Sequence, residues 1–152
     1  MRMLAPLLLV ACGPDLTGTW VGDPTCDDRE VDAELTLEKI ENGLFRGIIE
    51  LERKDDIPFT GWVSVIEVEY ELELRPEGTK EQDLLVRASF EDVDCGVYSG
   101  RDQISEFCED VGVVEDEFED RENDLEDIWW NGEDQLELDS DACQGKLTRT
   151  AE

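Results

Sequence analysis

The chain has 152 residues, of which 42 are acidic, 13 are basic and none is histidine, so its formal net charge is −29. The negative electrostatic field of such a chain disfavours nucleic acid and anionic lipid headgroups as partners. The absence of histidine removes the commonest general base and metal ligand at neutral pH. The acidic excess favours solubility, cations and basic proteins, and a solvated surface suited to salty water is its simplest interpretation.

The first feature in chain order is a short apolar run that ends at Cys12. Arg2 supplies a positive charge before the run, and a small residue precedes the cysteine, as in secretory signals. The run is too short to span a bilayer, which takes about 20 apolar residues. Its last four residues, Leu-Val-Ala-Cys at positions 9–12, resemble the lipobox of bacterial lipoprotein signal peptides.

This resemblance implies that the chain is cut before Cys12, whose sulfur and new amino group carry fatty acyl chains such as palmitate. Two or more such chains anchor stably, because each buried methylene contributes roughly 0.8 kcal/mol. The expected organisation is a signal peptide over residues 1–11, a tether over 12–15 and one domain over 16–152. Gly13 follows the cysteine, which favours the outer membrane of the bacterial cell envelope over the inner one.

The first strands follow directly after the tether. Residues 16–22 place β-branched and aromatic side chains between glycines, which predicts a strand. Residues 31–38 alternate apolar and polar side chains with a period of two, which predicts a half-buried strand.

A third strand is predicted over residues 44–53, and the turn before it sets the register. A three-residue loop places Leu35 opposite Ile49 and Glu38 opposite Arg46, with Gly43 in the left-handed conformation. The two-residue turn that Asn-Gly usually indicates would mix the two faces of the sheet, so the longer loop is preferred.

The clearest strand in the chain covers residues 62–74, after a predicted loop at residues 54–58. Glutamates occupy alternate positions from 67 to 73. They must face solvent, because a buried unpaired carboxylate costs several kcal/mol, and a period of two excludes a helix. After a turn, apolar residues return with the same parity over residues 84–90, which predicts the second strand of a hairpin.

The pattern weakens from residue 92 onward. A turn is predicted at residues 92–96, followed by a short strand. The strongly acidic stretch at residues 101–127 is compatible with a mobile loop, a long hairpin or a frayed helix, and we expect a partly ordered loop with a strand near residues 111–118. A second Asn-Gly, at positions 131–132, indicates a further hairpin, and residues 145–150 form the closing strand.

This number of short strands predicts an all-β fold, an antiparallel up-and-down barrel or closed sandwich of about eight strands with an acidic loop region. Residues 16–20 resemble the first strand of avidins, and Gly18-x-Trp20 resembles the opening motif of lipocalins. Lipocalins place an arginine across that tryptophan on the last strand, where this chain has Arg149. The chain is also similar to small lipoprotein barrels that begin with G-x-W and end in L-T-R, which implies a calycin-type barrel.

Four cysteines remain once Cys12 is assigned to the anchor, and an even number in an exported chain predicts two disulfides. A zinc site is the alternative, but the chain has no C-x-x-C pair. In a closed antiparallel meander the first strand pairs with the last. A register that sets Cys26 opposite Cys143 also sets Trp20 opposite Arg149, where indole and guanidinium stack. This register predicts the disulfides Cys26–Cys143 and Cys95–Cys108.

The sequence carries little that points to catalysis or metal binding. Asp120, Glu122 and Asp124 have the spacing that begins an EF-hand loop, but Leu125 stands where glycine is needed and Asn131 where a bidentate glutamate is needed. With so many carboxylates, a glycosidase-like pair carries no information. No G-x-S-x-G, Walker or dinucleotide motif is present. We expect no cofactor, no metal and no enzymatic activity.

Two functions remain: a monomeric interaction or structural lipoprotein of the cell envelope, and a calycin-like carrier of a small hydrophobic ligand. A filled interior favours the first, and several hundred Å³ of aromatic-lined space favours the second. Trp129 and Trp130 are adjacent in a strand, so one indole should be exposed for a protein or glycan partner. The candidate ligand-lining residues are Trp20, Trp62, Tyr70, Phe90 and Arg149.

Overall fold

A computed structural model of the protein describes residues 15–76, 84–113 and 115–150. Within them the chain forms one antiparallel sheet of eleven strands and very little helix. The predicted all-β antiparallel class is confirmed, with more strands than expected. Cys12, the predicted signal peptide and the tether as far as residue 14 lie outside the described residues.

Tight turns connect most of the strands, and short helices follow the eighth strand. The strands are β1 (Gly18–Gly22), β2 (Thr25–Cys26), β3 (Arg29–Glu30), β4 (Asp32–Glu41), β5 (Leu44–Ile57), β6 (Trp62–Pro76), β7 (Leu84–Ser99), β8 (Asp102–Ser105), β9 (Ile128–Trp130), β10 (Gln135–Asp139) and β11 (Cys143–Arg149). The helices are a 3-10 turn (Cys108–Val111), α1 (Glu115–Glu119) and a second 3-10 turn (Glu122–Leu125). None of the helices in the described chain is long and apolar enough to cross a membrane.

The sheet is a meander with the strand order β8-β7-β6-β5-β4-β1-β11-β10-β9. The first strand pairs with the last, as predicted, and Trp20 lies opposite Arg149. The short β2 continues this ladder along β11 and sets Cys26 opposite Cys143. The first and last strands are therefore joined in the middle of the sheet, whose free edges in the described part of the chain lie elsewhere.

Two disulfides cross-link this framework, and both predicted pairings are confirmed. Cys26–Cys143 joins β2 to β11 over a sequence separation of 117 residues. Cys95–Cys108 joins β7 to the first 3-10 turn over 13 residues.

The hairpin of β4 and β5 has the predicted register. Leu35 lies opposite Ile49 and Glu38 opposite Arg46. The ladder shifts by one residue just before the turn, and Gly43 has φ of +79°, which glycine adopts without steric cost. All apolar residues of the hairpin that were predicted to share a face do so.

Two predicted connections are wrong, because long ladders override local turn signals. β5 continues to Ile57 through the predicted loop at residues 54–58, paired with the start of β6. β7 runs unbroken through the predicted turn at residues 92–96, with a bulge opposite the Glu69/Tyr70 step of β6. The bulge moves the buried positions of β7 from even to odd numbers, which is why the period-two pattern breaks there.

The predicted strand near residues 111–118 is also wrong, because the chain turns helical and lies against the free edge of β7. We call residues 115–126 the helical segment. Within the described residues β7 and β9 do not pair, so the sheet is not closed there. Instead the Glu122 carboxylate accepts a hydrogen bond from Phe90 N at 2.6 Å, and that of Glu126 accepts one from Ala88 N at 3.5 Å. These carboxylates thus accept hydrogen bonds from N–H groups at the edge of β7 that a neighbouring strand would otherwise bind.

The interior of this barrel-like sheet is filled by side chains. Alternating residues of β4, β5, β6, β10 and β11 point inward, and burial of each large apolar side chain stabilises the fold by about 1.5–3 kcal/mol. The largest fully buried side chains are Trp20, Phe45, Leu16, Leu35, Leu37, Ile49, Leu72, Leu74, Leu125, Leu136, Leu138 and Leu147.

We expect Cys26–Cys143 to stabilise the fold more than Cys95–Cys108. In the chain-entropy model a closed loop of about 100 residues contributes about 4.7 kcal/mol, and a loop of about 15 residues about 3 kcal/mol. Replacing Cys26 and Cys143 by alanine should therefore lower the free energy of unfolding in urea more than replacing Cys95 and Cys108. Equal losses, or a mapped bond between Cys26 and Cys95, would contradict this arrangement.

Candidate functional site

Arg149 covers the lower end of the barrel-like sheet, where β1 begins and β11 ends. Its guanidinium carbon lies 4.3 Å from the centroid of the Trp20 ring, so the predicted stacking is confirmed. Arg149 Nη1 donates to Thr17 O and Nη2 to Asp15 O, both at 2.9 Å. Trp20 Nε1 donates to Leu16 O at 3.0 Å. These contacts of Arg149 hold residues 15–20 against the last strand, β11.

The predicted ligand-lining residues do not share one cavity. Trp20 is fully buried under Arg149 at the lower end. Trp62 begins β6 at the opposite end of the sheet, where β1 ends, which we call the upper end. There 42% of its surface is exposed. Tyr70 is buried and packs edge-to-face on Phe90, with ring centroids 5.9 Å apart. Tyr70 alone of the five lines the cavity at the upper end.

That cavity, which we call the mouth cavity, has a volume of about 60 Å³. Its floor is apolar and is built from inward-facing side chains of β5 and β6, while its rim carries two guanidinium and two carboxylate groups. The residues that line it are Cys26, Asp27, Val31, Leu51, Arg53, Ile66, Val68, Tyr70, Phe118, Arg121, Asp124 and Cys143.

The helical segment covers the mouth cavity and is held there by two polar contacts. Tyr70 Oη donates to Phe118 O at 2.9 Å. Burial raises the pKa of Tyr70, so its hydroxyl remains a donor across the physiological range. Arg121 forms an ion pair with Asp27 of the β2–β3 turn. Both contacts join the helical segment to parts of the sheet that are distant in sequence.

The β2–β3 turn places Asp27 at the rim by an uncommon backbone conformation. Asp27 has φ of +54° and Asp28 has φ of +64°. A two-residue hairpin turn with both φ values positive usually carries Asn-Gly or Asp-Gly, because a Cβ is unfavourable there. This turn places the Asp27 carboxylate where it forms the ion pair with Arg121.

Arg53 is a rim residue whose place in the alternating pattern of β5 is unusual. It shares the inward parity of Ile49 and Leu51, so a cation follows two apolar residues on the same face of β5. Its Nε donates to Asp55 Oδ2 at 2.9 Å, and Asp55 Oδ1 accepts from Arg29 Nη1 at 2.6 Å. The terminal Nη groups of Arg53 have no partner among the described residues. The parity of Arg53 alone does not identify a site, because its partners on the rim come from the helical segment, which is distant in sequence.

The three residues considered for calcium are not brought together. Asp120 is exposed, Glu122 holds the backbone of β7, and Asp124 lines the mouth cavity. In the described chain no group of three potential ligands is placed to hold a metal ion. Burial and the nearby charge of Asp27 raise the pKa of Asp124, which forms no ion pair with the described residues.

The adjacent tryptophans of β9 divide between the two faces. Trp130 is buried and its Nε1 donates to Glu133 O at 2.8 Å. Trp129 is 53% exposed and lies opposite Glu137, which is paired on its other side with Lys146. The sequence predicted that one of the two indoles would be exposed, and in the structure this is the indole of Trp129.

The outer face of β4 to β7 carries carboxylates in direct cross-strand register. Like charges opposite one another destabilise a sheet, and a groove of about 420 Å³ runs beside them. Burial and the neighbouring carboxylates raise the pKa of Glu67. The two rows are Glu34, Glu50, Glu69 and Asp92, and Asp32, Glu52, Glu67 and Asp94.

No protein-family model matches this chain, and no curated protein or solved structure matches it significantly. The resemblances to lipoproteins and to calycins therefore rest on residues 9–12, 16–20 and 147–149. What the structure adds is a barrel-like antiparallel sheet that brings residues 16–20 and 147–149 together.

We expect Arg149→Lys to destabilise the protein, because lysine keeps the charge but cannot fork between two carbonyls and stack on the ring. A lost charged hydrogen bond costs about 1.5–3 kcal/mol. Urea unfolding followed by Trp fluorescence measures the loss. Arg87→Lys, at an exposed site on β7, is the control, and similar behaviour of the two variants would refute the closing role of Arg149.

We expect Glu67→Gln to stabilise the protein near neutral pH. Because the folded-state pKa is raised, ionised Glu67 disfavours the fold above that pKa, and this effect disappears as the pH falls through it. The expected gain is about 0.2–1 kcal/mol, measured as urea midpoints from about pH 7 downward. Glu71→Gln is the control, since Glu71 lies between Ile48 and Ser89. A gain that is equal in both variants, or independent of pH, would contradict the cross-strand repulsion.

Proposed function

We propose that this protein is a lipid-anchored lipoprotein of the bacterial cell envelope with a non-catalytic interaction or structural role. The observation that carries the proposal is the filled interior. A drug-sized ligand needs a pocket of about 300–1,000 Å³, whereas the mouth cavity measures about 60 Å³. This difference favours an interaction or structural role over a carrier of calycin type. Two grooves reach about 420 and 430 Å³, but charged side chains form most of their lining, which does not suit a hydrophobic ligand.

The position of Asp15 supports anchoring through Cys12. Arg149 holds the Asp15 carbonyl at the lower end of the barrel. Three residue steps separate Cys12 from Asp15, and they span at most roughly 11 Å when extended. A lipid on Cys12 would thus keep the lower end close to the bilayer, and the upper end, with the β2–β3 turn and the mouth cavity, would point away from it.

The charge of the protein supports attachment through the acyl chains and indicates the class of partner. Anionic headgroups repel the acidic outer face, so the acyl chains rather than the protein surface would attach the protein to the membrane. The carboxylate rows of β4 to β7 favour basic proteins or cations, and the exposed Trp129 offers an apolar contact for a protein or glycan. We place the protein at the outer membrane as a monomer.

Replacing Cys12 tests the anchor directly. In a bacterial host fed labelled palmitate, the wild-type protein should take up label and sediment with membranes, whereas Cys12→Ala should do neither. The double variant Cys95→Ala/Cys108→Ala is the matched control, since it also removes cysteines and should keep the label. Membrane association of Cys12→Ala equal to the wild type would overturn the proposed anchoring.

A further inference from the structure

The mouth cavity has the composition of a binding site. It lies at the upper end, on the opposite side of the filled core from Asp15 and the proposed anchor. The Cys26–Cys143 disulfide forms one wall, and Leu51 and Val68 contribute to its floor. Two of the chain's 13 basic residues, Arg53 and Arg121, line it. In a chain of net charge −29, two guanidinium groups beside one small cavity are unexpected unless they have a role there.

The charged groups of the rim are only partly satisfied. Arg53 uses Nε for Asp55, and its two Nη groups have no partner in the described chain. Arg121 uses Nη1 for Asp27. Asp124, on the same rim, forms no ion pair or side-chain hydrogen bond with the described residues. Burial and the charge of Asp27 raise the pKa of Asp124, and the nearby Arg121 offsets only part of this effect. Free donors and an unpaired carboxylate therefore face the same space.

We propose that the mouth cavity binds a small α-amino acid as its zwitterion. The ligand carboxylate bonds the free donors of Arg53 and Arg121, the ammonium group bonds Asp124, and a short side chain contacts the apolar floor. The rim holds two positive and two negative groups, so a ligand with both charges and no net charge complements it. A simple anion would meet Asp124 and Asp27, and a simple cation would meet the two arginines.

The volume of the cavity limits the size of the ligand. The cavity measures about 60 Å³, far below the roughly 300–1,000 Å³ of pockets that take drug-sized ligands, so its ligand must be small. Alanine is among the smallest α-amino acids, and longer side chains would have to displace the helical segment. Distant carboxylates act weakly on the ligand, because charges beyond about 8 Å are screened at physiological salt.

Titration with matched probes tests the proposal. Alanine carries both charges, propionate lacks the ammonium group and ethylamine lacks the carboxylate. In ¹H–¹⁵N NMR of the full domain we expect saturable shifts around Asp27 and Arg121 with alanine. Propionate and ethylamine should bind at least about tenfold more weakly, the change that loss of one charged hydrogen bond produces. This comparison uses only the wild-type protein and is independent of the lipid anchor.

Variants then assign the contacts. Arg53→Met and Asp124→Asn should each weaken alanine binding at least about tenfold, while both keep the bulk of the side chain. Arg46→Met is the matched control, because Arg46 pairs with Glu73 at 2.8 Å on the outer face. Absence of a saturable shift with alanine, propionate binding as tightly as alanine, or equal weakening by Arg46→Met would each overturn the proposal.

Discussion

The structure depends on the pairing of the first strand with the last. At the lower end Arg149 stacks on Trp20 and holds the carbonyls of Thr17 and Asp15. At the upper end a disulfide crosses the same ladder. Contacts between the first and the last strand carry the largest loop-closure entropy of the fold. A disulfide at one end of this ladder and the several contacts of Arg149 at the other end fix its register. The rest of the meander then extends from β1 and from β11 in opposite directions.

The sheet completes itself with side chains where strands are missing. β7 and β9 leave an open seam in the described chain, and an unpaired strand edge invites association with other chains. The helical segment lies in that seam, where two glutamates accept the N–H groups of β7. The same segment reaches over the upper end of the barrel-like sheet through Phe118 and Arg121. One irregular element therefore both protects the edge and creates the mouth cavity.

Charge is distributed unevenly over the molecule. The outer face of β4 to β7 carries two rows of carboxylates whose mutual repulsion disfavours the fold, while the filled interior carries almost no charge. Three arginines lie where distant chain segments meet, Arg149 at the lower end of the sheet and Arg53 and Arg121 at the upper end. A surface of this charge favours solubility and repels anionic groups. The mixed charges of the upper end are the exception, and they lie farthest from the expected anchor.

Much of this architecture was determined by the sequence alone. The period-two pattern of β4 and β6, the register that sets Leu35 opposite Ile49 and the opposition of Cys26 to Cys143 all follow from alternation and antiparallel geometry, which are local or arithmetic properties. Only the tertiary structure decided the bulge in β7, the helical course of residues 115–126 and the mouth cavity. These depend on which backbone groups remain unpaired once the sheet has assembled, and no local pattern records that.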